Sequence, residues 1–142
     1  QGAGEAAKGI LGTTNWHWSL QDAGSQAFVK SFGQEYGFPP SQAAHTCYVQ
    51  ALLYATACEM AGTFAPWEVI KQLEGFEFDG AGNGPTLYRA EDHQCFKDVL
   101  VVRGKENPQS NFDLLEVVKE VPRAQVEYPA DMFGGELGPY QV

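Results

Sequence analysis

The chain has 142 residues, 44% of them hydrophobic and 19% charged, a length that fits about one domain and a composition that excludes wholesale disorder. Nine Lys+Arg against eighteen Asp+Glu give a net charge of −9, which argues against nucleic acid and anionic membrane faces as partners. No apolar run approaches the roughly 20 residues of a membrane span, and "QGAGEAAKG" carries neither the basic start nor the apolar stretch of a signal peptide.

In chain order, "KGILGTTNW" (8–16) reads as a short strand, apolar and β-branched after a small-residue lead. "NWHWSLQDAG" connects it to a helix over about 23–36, where Phe28, Val29, Phe32 and Tyr36 recur at helical spacing. Asp22 or Ser25 can cap that helix, Gly37 fits its C′ position, and Pro39-Pro40 stop it. A second helix runs from near Ser41 to Gly62. Its expected apolar face is Ala44, Cys47, Tyr48, Ala51, Ala55 and Cys58, with Val49 and Leu53 interrupting the opposite side, so most of its girth should be covered. "APWEVIKQLEG" is a third helix, with Pro66 in the first turn and Gly75 as a stop.

"EGFEFDGAGNGPTLYRAEDHQ" (74–94) reads as a hairpin, two short aromatic runs around a glycine-rich turn. "DVLVVRG" (98–104) is the strongest strand signal. "FDLLEVVKEVP" (112–122) fits either a strand pair or a short helix, and the last twenty residues read as an extended tail. "GILGTT" and "DVLVV" are too apolar to be sheet edges in water, and the chain offers them few partners. The sequence therefore looks like part of a larger fold.

The titratable groups are thin on chemistry. Cys47 and Cys58 lie eleven apart on one helix, about 16 Å at 1.5 Å per residue, too far to bridge. With Cys95 they read as three buried or partly buried thiols, and no Cys/His spacing suggests zinc. Arg89, Glu91, Asp92 and His93 would make an acid/base set only with a nucleophile, and no G-x-S-x-G or comparable context supplies one. "DGAGNG" lacks a Walker lysine and the carboxylate spacing of a calcium loop, so no cofactor or metal is expected.

The succession "KGILGTTNWHW", "FVKSFGQEYGFPPSQAAHTCYVQALLYATACEMAG", "VIKQLEGFEFDGAGNGPTLYRAEDHQ" and "DVLVVRG" resembles the C-terminal third of the type I periplasmic solute-binding proteins of ABC transporters. The nearest branch is the leucine/isoleucine/valine, amide and aromatic-acid binders, and the resemblance runs over about residues 5–121. It departs from the family at Tyr48-Val49-Gln50, where the family usually has Tyr-Asp-Ala, and it lacks the first two-thirds of the family pattern.

The resemblance implies an α/β chain that is part of a two-lobed fold, parallel sheets flanked by helices, and incomplete alone. Residues 1–14 would give a strand to the second lobe. Residues 15–97 would be the C-terminal part of the first lobe, with a hinge crossing at Asn15–Trp18. Residues 98–142 would be the return crossing and a tail on the second lobe. The missing segment would hold the sheet partners of the orphan strands.

It also implies a non-enzymatic, periplasmic or extracytoplasmic protein that closes on a small organic solute and delivers it to a membrane permease. Its other partner would be the remaining N-terminal segment of the same protein. Asn15, Trp16, His17 and Trp18 at the hinge could line the ligand cleft, with the tryptophans stacking on an aromatic or apolar solute; their alternative role is to plug the base of the lobe interface. The start of the second long helix maps to Ala43, Ala44 or His45, and the small alanines would leave room for a bulky ligand. Two other readings are a ligand-sensing receptor domain on the same fold and a small α/β hydrolase or transferase.

Overall fold

The computed structural model describes residues 4–132 and Gly138. Residues 1–3 of the expected first strand segment, and 133–137 and 139–142 of the expected tail, lie outside the described residues. Strand β1 (Leu11–Thr14) is followed by helices α1 (Ala23–Tyr36), α2 (Gln42–Ala61) and α3 (Pro66–Leu73). Strands β2 (Glu77–Phe78), β3 (Thr86–Tyr88) and β4 (Cys95–Phe96) come next, then β5 (Val99–Gly104) and β6 (Leu115–Val121).

The helix ends obey local chemistry. Asp22 Oδ1 accepts the Ser25 N–H at 2.8 Å, and Ser41 Oγ accepts the Ala44 N–H at 3.1 Å, each relieving an orphan donor of the first turn. Gly37 and Gly62 follow α1 and α2 in the left-handed conformation that a side chain resists. Pro66 opens α3, where its missing N–H costs nothing.

The buried face of α2 is not the expected one. His45, Val49, Leu53 and Ala57, at i, i+4 spacing, turn inward together with Cys58, whereas Cys47, Tyr48, Ala51 and Ala55 are exposed. Val49 and Leu53 pack with Ala81, Phe76, Phe78 and Tyr88. Ala57 and Cys58 pack with Val69 and Leu73 of α3. The large β-stem and aromatic groups of the hairpin need large partners, so the helix turns its leucine and valine toward them. The thiols diverge likewise: Cys58 is buried, and Cys47 and Cys95 are exposed.

Two three-stranded sheets form, in the orders β1-β5-β6 and β2-β3-β4. The strands expected to lack partners pair with each other: Thr14 lies opposite Leu100 and Leu11 opposite Arg103, and Val99 lies opposite Val121. Every pair among the described residues is antiparallel, because β1 and β5 run to and from the same seam and β6 returns from β5 through a short loop. The ambiguous 112–122 stretch contains strand β6, and a bulge between Val101 and Val102 absorbs its register shift. Leu100 is fully buried and Val102 nearly so, as their apolar character requires.

Of the expected tail, the structure describes residues 123–132 and Gly138. After β6 the chain turns back onto the hairpin sheet: Arg123 pairs with Glu77 at 2.7 Å, and Phe96 packs edge-on to Tyr128 at 5.2 Å. Arg89 lies 4.6 Å over the Phe96 ring and 5.2 Å over Tyr128, while Nη1 donates to the Tyr128 carbonyl.

Asn83 joins the helical unit to the β1-β5-β6 sheet. Its Nδ2 donates to the Asn15 carbonyl at 2.6 Å and to the Asp98 carbonyl at 2.8 Å, so one amide holds both segments that cross between the two parts. Asp98 Oδ1 in turn accepts the Arg123 N–H at 2.7 Å, tying in the third crossing. Asn83 is buried and has φ 59°, a conformation asparagine tolerates better than most residues. The approach is close: a Cβ on Gly24 would collide with the Gly80 carbonyl, and one on Gly82 with Ser25 Oγ.

Asn83→Gly keeps the backbone geometry and removes the amide bridge. In the intact protein it should lower unfolding free energy by about 1–3 kcal/mol, because two partly buried carbonyls lose their donor. Asn83→Ala should cost about 1–2 kcal/mol more for the left-handed backbone. Denaturant midpoints measure both, and an unchanged midpoint for Asn83→Gly would show that the bridge carries no load.

Candidate functional site

At the crossing, the four residues of "NWHW" have different partners. Trp16 is 1% exposed; its Nε1–H donates to Ser25 Oγ at 2.9 Å, and its ring stacks on His45 at 4.3 Å with 3° between planes. Phe28 completes this group edge-on, 5.8 Å from Trp16 and 5.5 Å from His45. His45, placed at the cleft by the sequence, is also 1% exposed, and its Nε2 lies 2.6 Å from the Ala81 carbonyl. A carbonyl only accepts, so Nε2 carries the proton and His45 serves as a cross-brace between α2 and the hairpin loop.

At the seam lies a half-open cavity of about 470 Å³. Trp16 forms part of its floor, and His17 and Trp18 part of its wall, with Phe32, Phe38 and Phe112. Phe38 comes from the α1–α2 connection and Phe112 from the β5–β6 loop, so the cavity draws on both sides of the crossing. Gln42 lines it too, whereas Ala43 and Ala44 line neither this cavity nor the smaller one below. Asn15 and His45 instead border a void of about 30 Å³ with Thr86, Cys95 and Lys97, where Thr86 Oγ1 makes no protein hydrogen bond. Asn15 Oδ1 also accepts from Gln42 Nε2 at 2.9 Å, which fixes the first turn of α2 against the crossing.

Sequence reasoning missed Phe32, Phe38, Gln42 and Phe112 as neighbours of this cavity. The aromatic spacing of "FVKSFGQEYGF" before Pro39-Pro40 was the available signal for the first two. Phe112 had none, because it heads the ambiguous "FDLLEVVKEVP" stretch, whose pattern did not show that its first residues belong to the β5–β6 loop.

The electrostatics are mostly settled within the protein. His17 Nδ1 lies 2.7 Å from Ser19 Oγ and accepts the Ser19 N–H at 3.3 Å, which leaves Nε2 as the protonated nitrogen of the neutral ring. Burial pushes the His17 pKa down, helped by Lys105 and opposed by Asp113. Burial also lowers His45, helped by Lys97, against the pull of the Ala81 carbonyl and Asp22. Lys97 is itself lowered by burial while Nζ donates to the Gly82 carbonyl at 3.0 Å.

The acid/base cluster in the hairpin tail is spoken for. Asp92 takes a bidentate pair from Arg89, at 2.9 Å to Nε and 2.5 Å to Nη2, and the hydrogen bond from Arg89 holds its carboxyl below the usual range. His93 turns to Glu74 at 2.9 Å. Among the described residues no group of three or more His, Cys, Asp or Glu side chains could hold a metal ion, and no helix is long and apolar enough to cross a membrane.

The family model for periplasmic binding proteins matches residues 1–109. No curated protein matches the chain. Among solved structures, the periplasmic ligand-binding protein of a branched-chain amino acid ABC transporter from Burkholderia xenovorans is 26% identical, with a TM-score of 0.73 over 85% of this chain and 32% of its own. The leucine-, isoleucine-, valine-, threonine- and alanine-binding protein of Brucella ovis, in a closed conformation, has a TM-score of 0.78 at 16% identity over 97% of this chain and 37% of its own. A solute-binding protein of an ABC transporter from Rhodopseudomonas palustris, in complex with 3,4-dihydroxybenzoic acid, has a TM-score of 0.71 at 18% identity, over 84% of this chain and 32% of its own. The chain thus spans about a third of the length of the solved structures it matches, and it corresponds to their C-terminal portion.

The two depressed imidazoles predict an acid-sensitive fold. An unfolded chain binds protons on His17 and His45 near the ordinary value of about 6.5, before the folded chain does, so stability is full above that pH and falls as pH drops below it. The melting temperature should hold steady above about pH 7 and decline from about 6.5 towards 5. His45→Phe should flatten that decline, at a cost of about 1–3 kcal/mol at neutral pH from the abandoned Ala81 carbonyl. An unaltered acid slope in the variant would show that His45 is not one of the groups responsible.

Proposed function

Since the chain belongs to the periplasmic binding protein family, we propose that it is the hinge-bearing part of an extracytoplasmic solute-binding component of an ABC transporter. The protein captures a small organic solute by closing two lobes and presents it to a membrane permease. Lobe closure, not a chemical step, is its work.

The observation that carries this reading is the seam around Asn83. Three crossing segments, near Asn15, Asp98 and Arg123, meet one amide and one carboxylate, and a cavity opens beside them between the helical unit and the β1-β5-β6 sheet. Short crossings tied at one point let two bodies rotate while their own hydrogen bonds stay intact. Trp16, His17 and Trp18 then form this chain's share of the cleft, with Gln42 beside them. The hinge itself comprises residues 15–18 and 97–99; the helices and hairpin between them belong to one lobe and the β1-β5-β6 sheet to the other.

The remaining partner is the N-terminal portion of the same two-lobed protein. The outer face of α2 and the turn after it expose Tyr48, Leu52, Tyr54, Met60 and Phe64, the last at 78%. An apolar row of this size calls for cover, and the rest of the first lobe is the nearest surface the fold provides.

The test is a thermal-shift and calorimetric panel of amino acids, amides and aromatic acids on the full-length two-lobed protein. A true ligand at 100 times its dissociation constant should stabilise the folded state by about 2.7 kcal/mol and raise the melting temperature in proportion to the logarithm of its concentration. Failure of every solute in the panel to shift the melt would sink the proposal.

A further inference from the structure

We infer that the void of about 30 Å³ beside the crossing is a site for one ordered water molecule, bound by the Thr86 hydroxyl and the Lys97 ammonium. The site is separate from the larger half-open cavity, and it does not depend on which solute the protein carries.

The first argument is an unspent hydroxyl. Thr86 opens strand β3 and is 2% exposed, and its Oγ1 makes no hydrogen bond to the protein. A buried hydroxyl left unpaired carries its full desolvation cost, so such groups are nearly always served by protein or by water. The side chains that border the void with it have their acceptors engaged elsewhere. Thr46 Oγ1 accepts from Gln42 Nε2 at 2.9 Å, Asn15 Oδ1 accepts from the same nitrogen at 2.9 Å, and Gln50 Oε1 accepts from the Tyr88 hydroxyl. The partner for Thr86 therefore comes from inside the void.

The second argument is size. One water's share of the liquid is about 30 Å³, which matches the void. An organic solute asks for about 300 Å³ or more, so the site takes nothing of that class.

The third argument is the chemistry of the wall. Lys97 Nζ spends one of its three donors on the Gly82 carbonyl at 3.0 Å, and it makes no other protein hydrogen bond among the described residues. A water can accept from that ammonium and donate to Thr86 Oγ1, using both of its faces. A small anion could accept from both groups as well. However, Asp22 and Asp98 already act on the Lys97 charge, and the chain carries a net charge of −9, so a neutral guest is favoured. Asn15 and Lys97 lie on the two segments that cross, so the water joins both of them to α2 and to the hairpin sheet.

The experiment uses the full-length two-lobed protein. A high-resolution crystal structure should show one water within about 3.2 Å of both Thr86 Oγ1 and Lys97 Nζ. An empty void overturns the inference, as does a side chain of the N-terminal portion that fills it. Bromide soaked into the crystals and located by anomalous scattering tests for an anion, and a bromide peak in the void overturns water as the occupant. Denaturant unfolding of Thr86→Val gives an independent reading whose sign differs between the cases. If a water serves the hydroxyl, the variant should lower the folded-to-unfolded ratio by about two- to tenfold. If the hydroxyl has no partner, valine keeps the shape without a polar group to desolvate; the ratio then stays level or rises, and the inference falls. Thr86→Val and Lys97→Met together should cost less than the sum of the two alone, because each removes the same water. Strict additivity overturns the shared site. The crystal structure needs no variant, so it decides the matter even if valine is not tolerated.

Discussion

A single buried amide sets the geometry on which the other contacts depend. Asn83 spends both donors of its side chain on carbonyls 83 residues apart in sequence, Asn15 and Asp98, and so fixes where the chain leaves the helical unit and where it returns. Its own N–H reaches toward Asp22 Oδ2 at 3.4 Å, so the cap of α1 and the hairpin loop share one carboxylate. The glycines around it permit that closeness. With a side chain at Gly24 or Gly82, the loop could not lie against the first turn of α1, and the amide would miss its targets.

From that anchor the aromatic interior follows. The loop that carries Asn83 also carries Ala81, whose carbonyl holds His45, and His45 holds Trp16 by stacking. Trp16 then reaches Ser25 through its indole N–H. Each polar group in this chain of contacts is satisfied, which is the condition for burying two imidazole and indole rings at the edge of a small core. The same arrangement fixes Trp16 and His45, and Trp16 joins its sequence neighbours His17 and Trp18 in lining the cavity.

Much of the fold was legible because its signals are local. Asp22, Ser41, Gly37, Gly62 and Pro66 mark helix ends through hydrogen bonds and backbone angles within a few residues, and the helices fall where those residues say. The hairpin of 74–94 was legible too, although it forms a third strand at Cys95–Phe96 that its polar tail concealed. The site was less so. Trp16, His17 and Trp18 stood out as a set, but the burial of Trp16 against Ser25 and His45 depends on residues distant from it in sequence. Phe112 arrives from a loop whose composition gave no sign of it.

By itself, the sequence determined the helices, the hairpin, and membership of a family whose motifs it carries in order. Tertiary structure alone decided which side of α2 is buried, that β1 and β5 pair with each other, that the segment after β6 returns to Arg89 and Phe96, and that Phe38 meets Phe112. The physical reason is range. Caps and turns are decided by neighbours along the chain, whereas a helix apolar on several sides has no preferred face until a partner selects one. Strand partners and cavity walls are likewise chosen by residues distant in sequence, and only the folded chain brings those together.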